Sequence, residues 1–235
     1  MSIDDIGSVF HKYHNAYLAS VHGANSELYR NIGKVINPLL KGDVLDIGNG
    51  GCFAYDVTKA SKIVAIDTCF KTGLNLEKIA NVSYQYDDIL IPKTLHPDSF
   101  DTVLTQSLFH HVSGKSHRET LKNARKVIEN ARYVLRPGGM FVIIEPITSA
   151  AFESIERTLF KIFLTCFSVF RIPMIYLFSF KTIMDLLKDV GFVDVGYGEI
   201  KCPKKIDLCT TILPNLIVIP GWLAHFRYHF FIAKL

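Results

Sequence analysis

The sequence predicts an α/β protein in which helices flank a largely parallel sheet. Short apolar runs alternate with helical stretches along most of the 235 residues, and runs without polar alternation are typical of strands buried on both faces of such a sheet. Hydrophobic residues make up 49% of the chain and charged residues 20%, a composition that excludes a charged disordered protein. Neither a repeat nor a linker interrupts the pattern, so we expect one domain over residues 1–235.

Two helices are expected before the first strand. The first follows from apolar side chains that recur at every fourth position, at Val9, Tyr13, Tyr17 and Val21. Ser26 then begins a second helix that ends near Pro38. His11 and His14 are neighbours on the first helix. No cysteine or carboxylate partner lies near them in the sequence, so no metal site is expected.

Seven apolar runs predict the strands, and the best-defined helix lies between the fourth and the fifth. The runs are residues 44–47, 63–66, 82–85, 102–105, 140–144, 193–199 and 229–233. The helix is expected at residues 116–135, because Pro137, Gly138 and Gly139 then turn the chain into the next strand. Strands that alternate with helices in this way pair in parallel through right-handed crossovers.

The stretch after the first strand carries the clearest functional signal. Asp46-Ile47, at the end of the strand, is followed by Gly48-Asn49-Gly50-Gly51. We expect a helix after these glycines. Glycine permits positive φ and lets a ligand approach the backbone. The next strand ends at Asp67, 19 positions beyond Gly48, where a carboxylate can accept hydrogen bonds from both hydroxyls of a ribose. The two strand ends therefore predict a nucleoside-binding site.

The nucleoside is not expected to be a dinucleotide. The dinucleotide fingerprint requires a third glycine five positions after Gly48, and Phe53 occupies that place. An acid at Asp67 also opposes a 2′-phosphate, and the phosphate-binding pattern that ends in Gly-Lys-Ser/Thr is absent. A nicotinamide-dependent oxidoreductase is therefore disfavoured.

These residues resemble the class I S-adenosylmethionine-dependent methyltransferases. Asp46-Ile47-Gly48-Asn49-Gly50 is similar to the first motif of that family, and the likeness extends over about residues 30–200. The resemblance implies a Rossmann-like, seven-stranded, mostly parallel sheet of order 3-2-1-4-5-7-6, with the last strand antiparallel and helices on both faces. It also implies a helical N-terminal cap at residues 1–40 and an apolar helical lid insertion at residues 149–180.

The resemblance further implies a role for residues that follow each strand. Asp67 would hold the ribose of S-adenosylmethionine, and Asp87 or Asp88 would contact the adenine. The residues expected to bind this cofactor, or its product S-adenosylhomocysteine, are Asp46, Gly48, Asn49, Gly50, Asp67, Thr68, Asp87, Asp88, Ile89 and Gln106. The family usually has another glycine where this chain has Cys52, which we expect to pack in the loop rather than to act as a nucleophile.

Two histidines follow the fourth strand, where the methyl group should project. His110 and His111 are the candidate catalytic residues, as a general base or as groups that orient the substrate. The Asn/Asp-Pro-Pro-Tyr/Phe motif of family members that methylate amide or exocyclic nitrogens is absent. The formal net charge is only +4, so a nucleic-acid partner is not expected. We therefore predict methyl transfer to a small, largely apolar acceptor at oxygen or carbon.

Residues 152–180 hold seven of the 17 phenylalanines. Four of them recur at helical spacing, at Phe160, Phe163, Phe167 and Phe170, and Pro173 is expected to begin a second helix. We expect a lid over an apolar pocket, with substrate contacts from Tyr13, Phe152, Phe160 and Phe163. The alternatives are a homodimer interface, contact with a membrane surface, and plain core packing against a second apolar stretch at residues 211–222.

Other functions remain open at this point. One is a partner-dependent or inactive methyltransferase-like binding module that uses the Phe-rich segment as its interface, and another is an RNA methyltransferase. The five cysteines include no C-x-x-C pair, which favours reduced thiols and no metal. The first residues lack a signal-peptide pattern, and no apolar run is long enough to span a bilayer. We therefore expect a cytoplasmic protein, with peripheral membrane contact as an alternative.

Overall fold

The computed structural model describes residues 6–76, 78–169, 173–208 and 217–235, and of residues 6–9 and 75 it describes the backbone alone. The strands are β1 Asp43–Ile47, β2 Lys62–Asp67, β3 Val82–Tyr86, β4 Phe100–Gln106, β5 Leu135–Thr148, β6 Asp194–Glu199, β7 Lys205–Asp207, β8 Val218–Pro220 and β9 Phe226–Lys234. The α-helices are α1 Ile6–His22, α2 Ser26–Ile36, α3 Gly73–Leu76, α4 His117–Val134, α5 Ala150–Thr158, α6 Phe160–Val169 and α7 Phe180–Asp189.

Seven of these strands form one sheet in the order β3-β2-β1-β4-β5-β9-β6. Strands β1 to β5 pair in parallel, and β9 runs antiparallel to both of its neighbours. The predicted Rossmann-like sheet is confirmed, with β9 as its antiparallel seventh strand. The two-stranded hairpin of β7 and β8 was not predicted.

Both faces of the sheet are apolar, which is why its strands read as continuous apolar runs. On one face α2 packs against alternate strand residues, among them Val44, Ile63, Ala65, Leu104, Val142 and Ile144. On the other face α4 and α7 pack against the residues in between, among them Leu45, Val64, Val103, Phe141 and Ile143. Helix α4 matches the prediction within one residue at each end and is capped by the Ser116 hydroxyl, which accepts a hydrogen bond from the Glu119 N–H.

The helix expected after the glycines is wrong. The described chain there is irregular apart from a single 3₁₀ turn at Val57–Lys59. Helix α2 already covers this side of the sheet, and its Gly33 lies directly against the carbonyl of Ala54. Tyr55 turns inward to donate its hydroxyl to Asp46 at 2.7 Å, so this part of the chain is held by tertiary contacts.

The contact between Gly33 and Ala54 gives a first prediction. A Cβ atom at Gly33 would overlap the Ala54 carbonyl oxygen, so we expect Gly33→Ala to lower the free energy of unfolding by about 1–3 kcal/mol. This loss should outweigh the helix propensity of alanine, which is worth about 1 kcal/mol. Gly196→Ala is the control, because its Cβ would approach no atom closer than 4.0 Å. Urea unfolding that shows equal stability for both variants would contradict the close packing of α2.

The helix expected to begin at Pro173 is also wrong. Residues 173–178 form neither a helix nor a strand, and α7 begins only after Ser179. The backbone N–H groups of this segment bind partners outside it: Tyr176 donates to the His110 carbonyl at 3.1 Å, and Leu177 donates to the Glu156 carboxylate at 3.2 Å. These external acceptors replace the carbonyls that a helix would supply.

Glu156 makes stability depend on pH. Burial raises its pKa from 4.5 to about 7, with Glu153 adding to the rise and the Leu177 N–H opposing it. The folded state therefore binds more protons than the unfolded state between these values, and the free energy of unfolding falls as the pH rises through that window. We expect Glu156→Gln to be up to about 3 kcal/mol more stable than the wild type at pH 8 and similar to it at pH 4. Glu129→Gln, at an exposed position of α4, should show no such difference in urea unfolding at the two pH values.

The Phe-rich segment has an inner and an outer face. Phe160 is buried, and Phe163 and Phe167 pack partly buried against the core. On the outer face Ile155, Ile162 and Val169 are exposed by 52%, 60% and 72%. Phe170 and residues 211–216 lie outside the described residues. In the part of the chain that the structure describes, no helix is long and apolar enough to cross a bilayer.

Candidate active site

The loop after β1 has a shape that only glycine adopts easily. Three of its residues have positive φ, namely Gly48 (+70°), Gly50 (+68°) and Gly51 (+87°). The Asn49 side chain fixes the loop from within: its amide donates to Asp46 at 2.7 Å, and its oxygen accepts the Gly51 N–H at 3.0 Å. Burial raises the pKa of Asp46 to about 6, against the hydrogen bonds from Tyr55 and Asn49. Asp46 and Asn49 thus shape the loop, and the glycines expose its backbone.

Asp67 stands at the end of β2 beside this loop. One carboxylate oxygen accepts the Gly50 N–H at 2.9 Å, and the other accepts the Cys69 N–H at 2.8 Å. Burial raises the pKa of Asp67, while these N–H groups and that of Thr68 act in the opposite direction. Each oxygen of a carboxylate has a second lone pair, so Asp67 can accept two further hydrogen bonds from a bound ligand.

Asp87 and Asp88 follow β3 and have different roles. Asp87 accepts hydrogen bonds from the backbone of Lys93 and from both the backbone and the hydroxyl of Thr94. Burial acts to raise the pKa of Asp87, but these hydrogen bonds outweigh it and hold the pKa below the usual value. Asp88 uses one oxygen for the Leu90 N–H at 2.8 Å, and no described residue donates to the other. Asp88, beside the buried Ile89, is therefore the one with an oxygen to offer a ligand.

Helix α1 lies over the glycine loop. A Cβ at Gly50 would meet the Tyr17 hydroxyl at 3.0 Å, and one at Gly51 would meet the His14 ring at 2.7 Å. Tyr17 in turn shares a hydrogen bond with Tyr29 at 2.7 Å, and Tyr13 is half-buried. Helix α1 thus forms one wall of the site.

Cys52 packs under this wall. Its thiol is close enough to the hydroxyls of Tyr17 and Tyr29 to hydrogen-bond with them, and burial raises its pKa to about 12. The thiol is therefore neutral, as a packing residue requires, and unsuited to nucleophilic attack. Gln106, at the end of β4, also reaches the Tyr29 hydroxyl.

A buried glutamate organises the turn after β4. Glu145 of β5 is fully buried and accepts the backbone N–H groups of Leu108, Phe109 and His110 at 3.1–3.2 Å. The same carboxylate is hydrogen-bonded to Nδ1 of His110. A carboxylate only accepts hydrogen bonds, so Nδ1 carries a proton, and Nε2 is the ring nitrogen that the contact with Glu145 leaves free.

The sequence makes His110 a candidate but gives no comparable signal for its partner Glu145. A weaker signal is present, because Glu145 is the one charged residue in an otherwise apolar strand segment, 140–147, and buried charges are nearly always paired. What the sequence did not show is the partner, since the two residues are 35 positions apart.

His111 lies beside this pair. Its ring centroid is 4.0 Å from that of His110 and 5.4 Å from that of Phe10. Burial, with a smaller contribution from His110, holds the pKa of His111 well below 6.5. The His111 ring is therefore neutral at pH 7 and offers hydrogen-bonding nitrogens without a charge.

Unpaired polar atoms collect at this edge of the sheet. Within the described ranges, the buried side-chain nitrogens and oxygens that lack a hydrogen-bond partner belong to His14, Thr105 and His111. Thr105 is near the end of β4, and His111 follows that strand. His14 belongs to α1 and packs against the loop after β1. Buried polar groups are almost always hydrogen-bonded in folded proteins, so this clustering is what a ligand site would produce. Together with the spare lone pairs of Asp67, it fits a nucleoside cofactor.

Comparison with known proteins agrees with this geometry. The family model described as a methyltransferase domain matches residues 45–143, a range that runs from the glycine loop to β5. Residues 45–143 therefore contain a methyltransferase domain, which supports the resemblance to the class I S-adenosylmethionine-dependent methyltransferases. A search of curated proteins gave no match.

Solved structures share the fold of this protein at low sequence identity. One is a Thermotoga maritima S-adenosylmethionine-dependent methyltransferase, named as a possible histamine N-methyltransferase, at 15% identity and a TM-score of 0.64 over 97% of this chain and 98% of that one. Another is a chain of a Haloferax volcanii complex between the Trm112 methyltransferase activator and a candidate methyltransferase, at 14% identity and a TM-score of 0.65 over 95% and 96%.

A third structure was solved with its ligands. It is phosphoethanolamine N-methyltransferase 2 of Haemonchus contortus in complex with S-adenosylhomocysteine and phosphomonomethylethanolamine. The identity is 19% and the TM-score 0.56, over 94% of this chain and 56% of that one. At these identities the likeness establishes the fold alone.

The structure separates the predicted substrate residues. Phe160 packs in the core, 6.0 Å from the Tyr176 ring. Phe152 lies against His225, at 4.7 Å between ring centroids, beside a cleft of about 410 Å³ at the carboxyl end of β5. Phe163 is partly buried against the core. No group of three or more metal-ligating side chains occurs among the residues that the structure describes.

Proposed function

We propose that this methyltransferase transfers the methyl group of S-adenosylmethionine to a small, largely apolar acceptor, at oxygen or carbon. The observation that carries the proposal is the buried pair of Glu145 and His110, next to a glycine loop that the family uses to hold its cofactor. A neutral hydroxyl or a C–H group must lose a proton to accept a methyl group, and an amine need not. A histidine held in one tautomer by a carboxylate is suited to take that proton.

The cofactor would be held by the residues already described. Asp67 would accept the ribose hydroxyls, and Gly48, Asn49 and Gly50 would face the amino-acid end. Asp88 and Ile89 would contact the adenine, with Thr68 and Gln106 at the margins. Asp87 would act indirectly, by holding the loop that carries Asp88. When bound, S-adenosylmethionine supplies an electrophilic methyl group on a positively charged sulfur.

The protein's own chemistry is then a proton transfer. Nε2 of His110 would take the proton of the acceptor O–H or C–H as the acceptor gains the methyl group that S-adenosylmethionine would supply. The products are the methylated acceptor and S-adenosylhomocysteine, and the proton passes from His110 to solvent. Glu145 stabilises the imidazolium during this step, as a carboxylate does beside a charged ring. Neutral His111 orients the acceptor.

The acceptor's apolar character follows from the walls of the site. Phe10 packs on His111, and the Phe-rich segment approaches His110 through Tyr176. We propose this segment as the lid of the site, with Tyr13, Phe152 and Phe163 nearest the acceptor. We further propose that the chain forms a single domain and that it acts in the cytoplasm. Two of the similar structures are named as N-methyltransferases, so the atom that is methylated must be read from the product.

Calorimetric titration with S-adenosylmethionine and S-adenosylhomocysteine, with NADH as the control, tests the cofactor. We expect both sulfur nucleosides to bind at micromolar concentration and NADH not to bind. A chain that binds neither sulfur nucleoside would contradict the proposal. If the cofactor binds, mass spectrometry of reactions with phenols and other apolar acceptors identifies the atom that gains the methyl group.

An activator-dependent enzyme is the second candidate. Helices α5 and α6 carry exposed apolar side chains at Ile155, Ile162 and Val169, and the Haloferax volcanii complex contains a methyltransferase activator. In this case the isolated chain would bind the cofactor but turn over no acceptor until a partner is added. Light scattering on the isolated chain also decides whether that face joins two copies.

A further inference from the structure

His14 is buried without any hydrogen-bond partner. It is 4% exposed, and both ring nitrogens are buried and unpaired. Its ring fills the space between the loops that follow β1 and β2. A Cβ atom added at Gly51 would lie 2.7 Å from Cε1 and 3.2 Å from Nε2 of His14. It would also lie 3.3 Å from Cα of Thr72. His14 thus lies at the point where two ligand-binding loops meet.

Packing alone does not account for a histidine at this place. An unpaired buried donor and an unpaired buried acceptor both reduce stability, and a phenylalanine ring of similar size would fill the same space without that cost. A residue that lowers the stability of the free protein is common where a ligand later completes its hydrogen bonds.

We propose that His14 contacts the cofactor and hydrogen-bonds the ribose of bound S-adenosylmethionine from α1. The inference rests on the proposed function. Asp67, which accepts the Gly50 N–H at 2.9 Å, would hold the ribose from the β2 side, and His14 would complete its coordination from the opposite wall. A neutral imidazole offers one donor and one acceptor, and ribose hydroxyls both donate and accept.

The ring has the charge state that this contact needs. Burial, with Lys71 and then His11 adding to the effect, holds the pKa of His14 below 6.5. The ring is therefore largely neutral at pH 7 and does not repel the positively charged sulfur of the cofactor.

The test is His14→Phe, measured in two ways on the full chain. Calorimetry should show the Kd for S-adenosylmethionine rising about tenfold, which corresponds to the loss of one hydrogen bond. Thermal unfolding of the free protein should show a midpoint that is higher by about 2–4 °C, because the unpaired nitrogens are gone. A purely structural residue would lose stability and affinity together, so that result would overturn the inference.

Two further variants complete the experiment. His11→Phe is the matched control, because His11 is exposed on the same helix, and its Kd should stay within twofold of the wild type. His14→Gln keeps a donor and an acceptor and should bind more tightly than His14→Phe. If the wild type binds and His14→Phe binds equally or more tightly, the inference falls while the proposed function stands. If the wild type binds neither sulfur nucleoside, both fall.

Discussion

Glu145→Gln is expected to lower kcat by about 100- to 10,000-fold, the range over which a positioned acid–base group contributes. Glutamine keeps the size of the side chain but replaces one carboxylate oxygen with an NH₂ group. That group would face either the His110 side or the N–H groups of Leu108 and Phe109, where only an acceptor fits. In the first orientation the His110 ring would lose the acceptor that fixes its tautomer, and in the second the turn after β4 would lose the acceptor for its N–H groups.

Glu145 acts through His110, so its role must be separated from a general loss of structure. We expect the Kd for S-adenosylmethionine to change less than threefold while kcat falls, and Glu145→Asp to recover part of the activity. The double variant with His110→Ala should be no slower than His110→Ala alone, because residues that act as a unit are not additive. Glu199→Gln, an exposed glutamate of β6, is the control. A Glu145→Gln enzyme with kcat within threefold of the wild type would exclude the proposed base.

Asp67→Ala is expected to weaken cofactor binding by about 10- to 100-fold or more, because hydrogen bonds to a charged group are worth about 1.5–3 kcal/mol each. The substitution removes the acceptor for the ribose hydroxyls and also releases the N–H groups of Gly50 and Cys69. The measurement is calorimetric titration with S-adenosylhomocysteine, accompanied by thermal unfolding to confirm that the variant folds.

A ligand variant separates the ribose contact from the shape of the loop. S-adenosylhomocysteine with a 2′-deoxyribose should bind the wild type more weakly than natural S-adenosylhomocysteine does. For Asp67→Ala, the two compounds should have about the same affinity. Asp56→Ala is the control for losing a carboxylate that accepts local N–H bonds, since Asp56 is exposed and caps the turn at Val57–Lys59. Equal affinity of wild type and Asp67→Ala would remove Asp67 from the site.

The parts of the fold that the sequence predicted are those that depend on local sequence patterns. Strands β1, β2 and β4 each contain a short apolar run, and the end of α4 is marked by Pro137 and two glycines. The glycine loop and Asp67 are recognisable because a strand, a turn and an acid follow one another at fixed spacing. Such signals depend on the neighbours in the chain and need no knowledge of tertiary contacts.

The parts that were missed depend on contacts across the fold. The helix expected after Gly51 is replaced by irregular chain because α2 packs there. The helix expected at Pro173 is replaced by an irregular segment because its N–H groups donate hydrogen bonds to Glu156 and to the His110 carbonyl. The partnership of Glu145 with His110 has the same origin. In each case the deciding acceptor comes from a distant part of the sequence.

The position of β9 in the sheet has a consequence for how this protein folds. Strand β6 pairs with no described strand except β9, and β9 also pairs with β5 from Met140 to Thr148. Until residues 226–234 have docked, β5 is a long, apolar and unpaired sheet edge, the type of surface that recruits other chains into aggregates. Refolding yield should therefore depend on protein concentration, and substitutions in β9 that slow its docking should lower the yield before they change the finished enzyme.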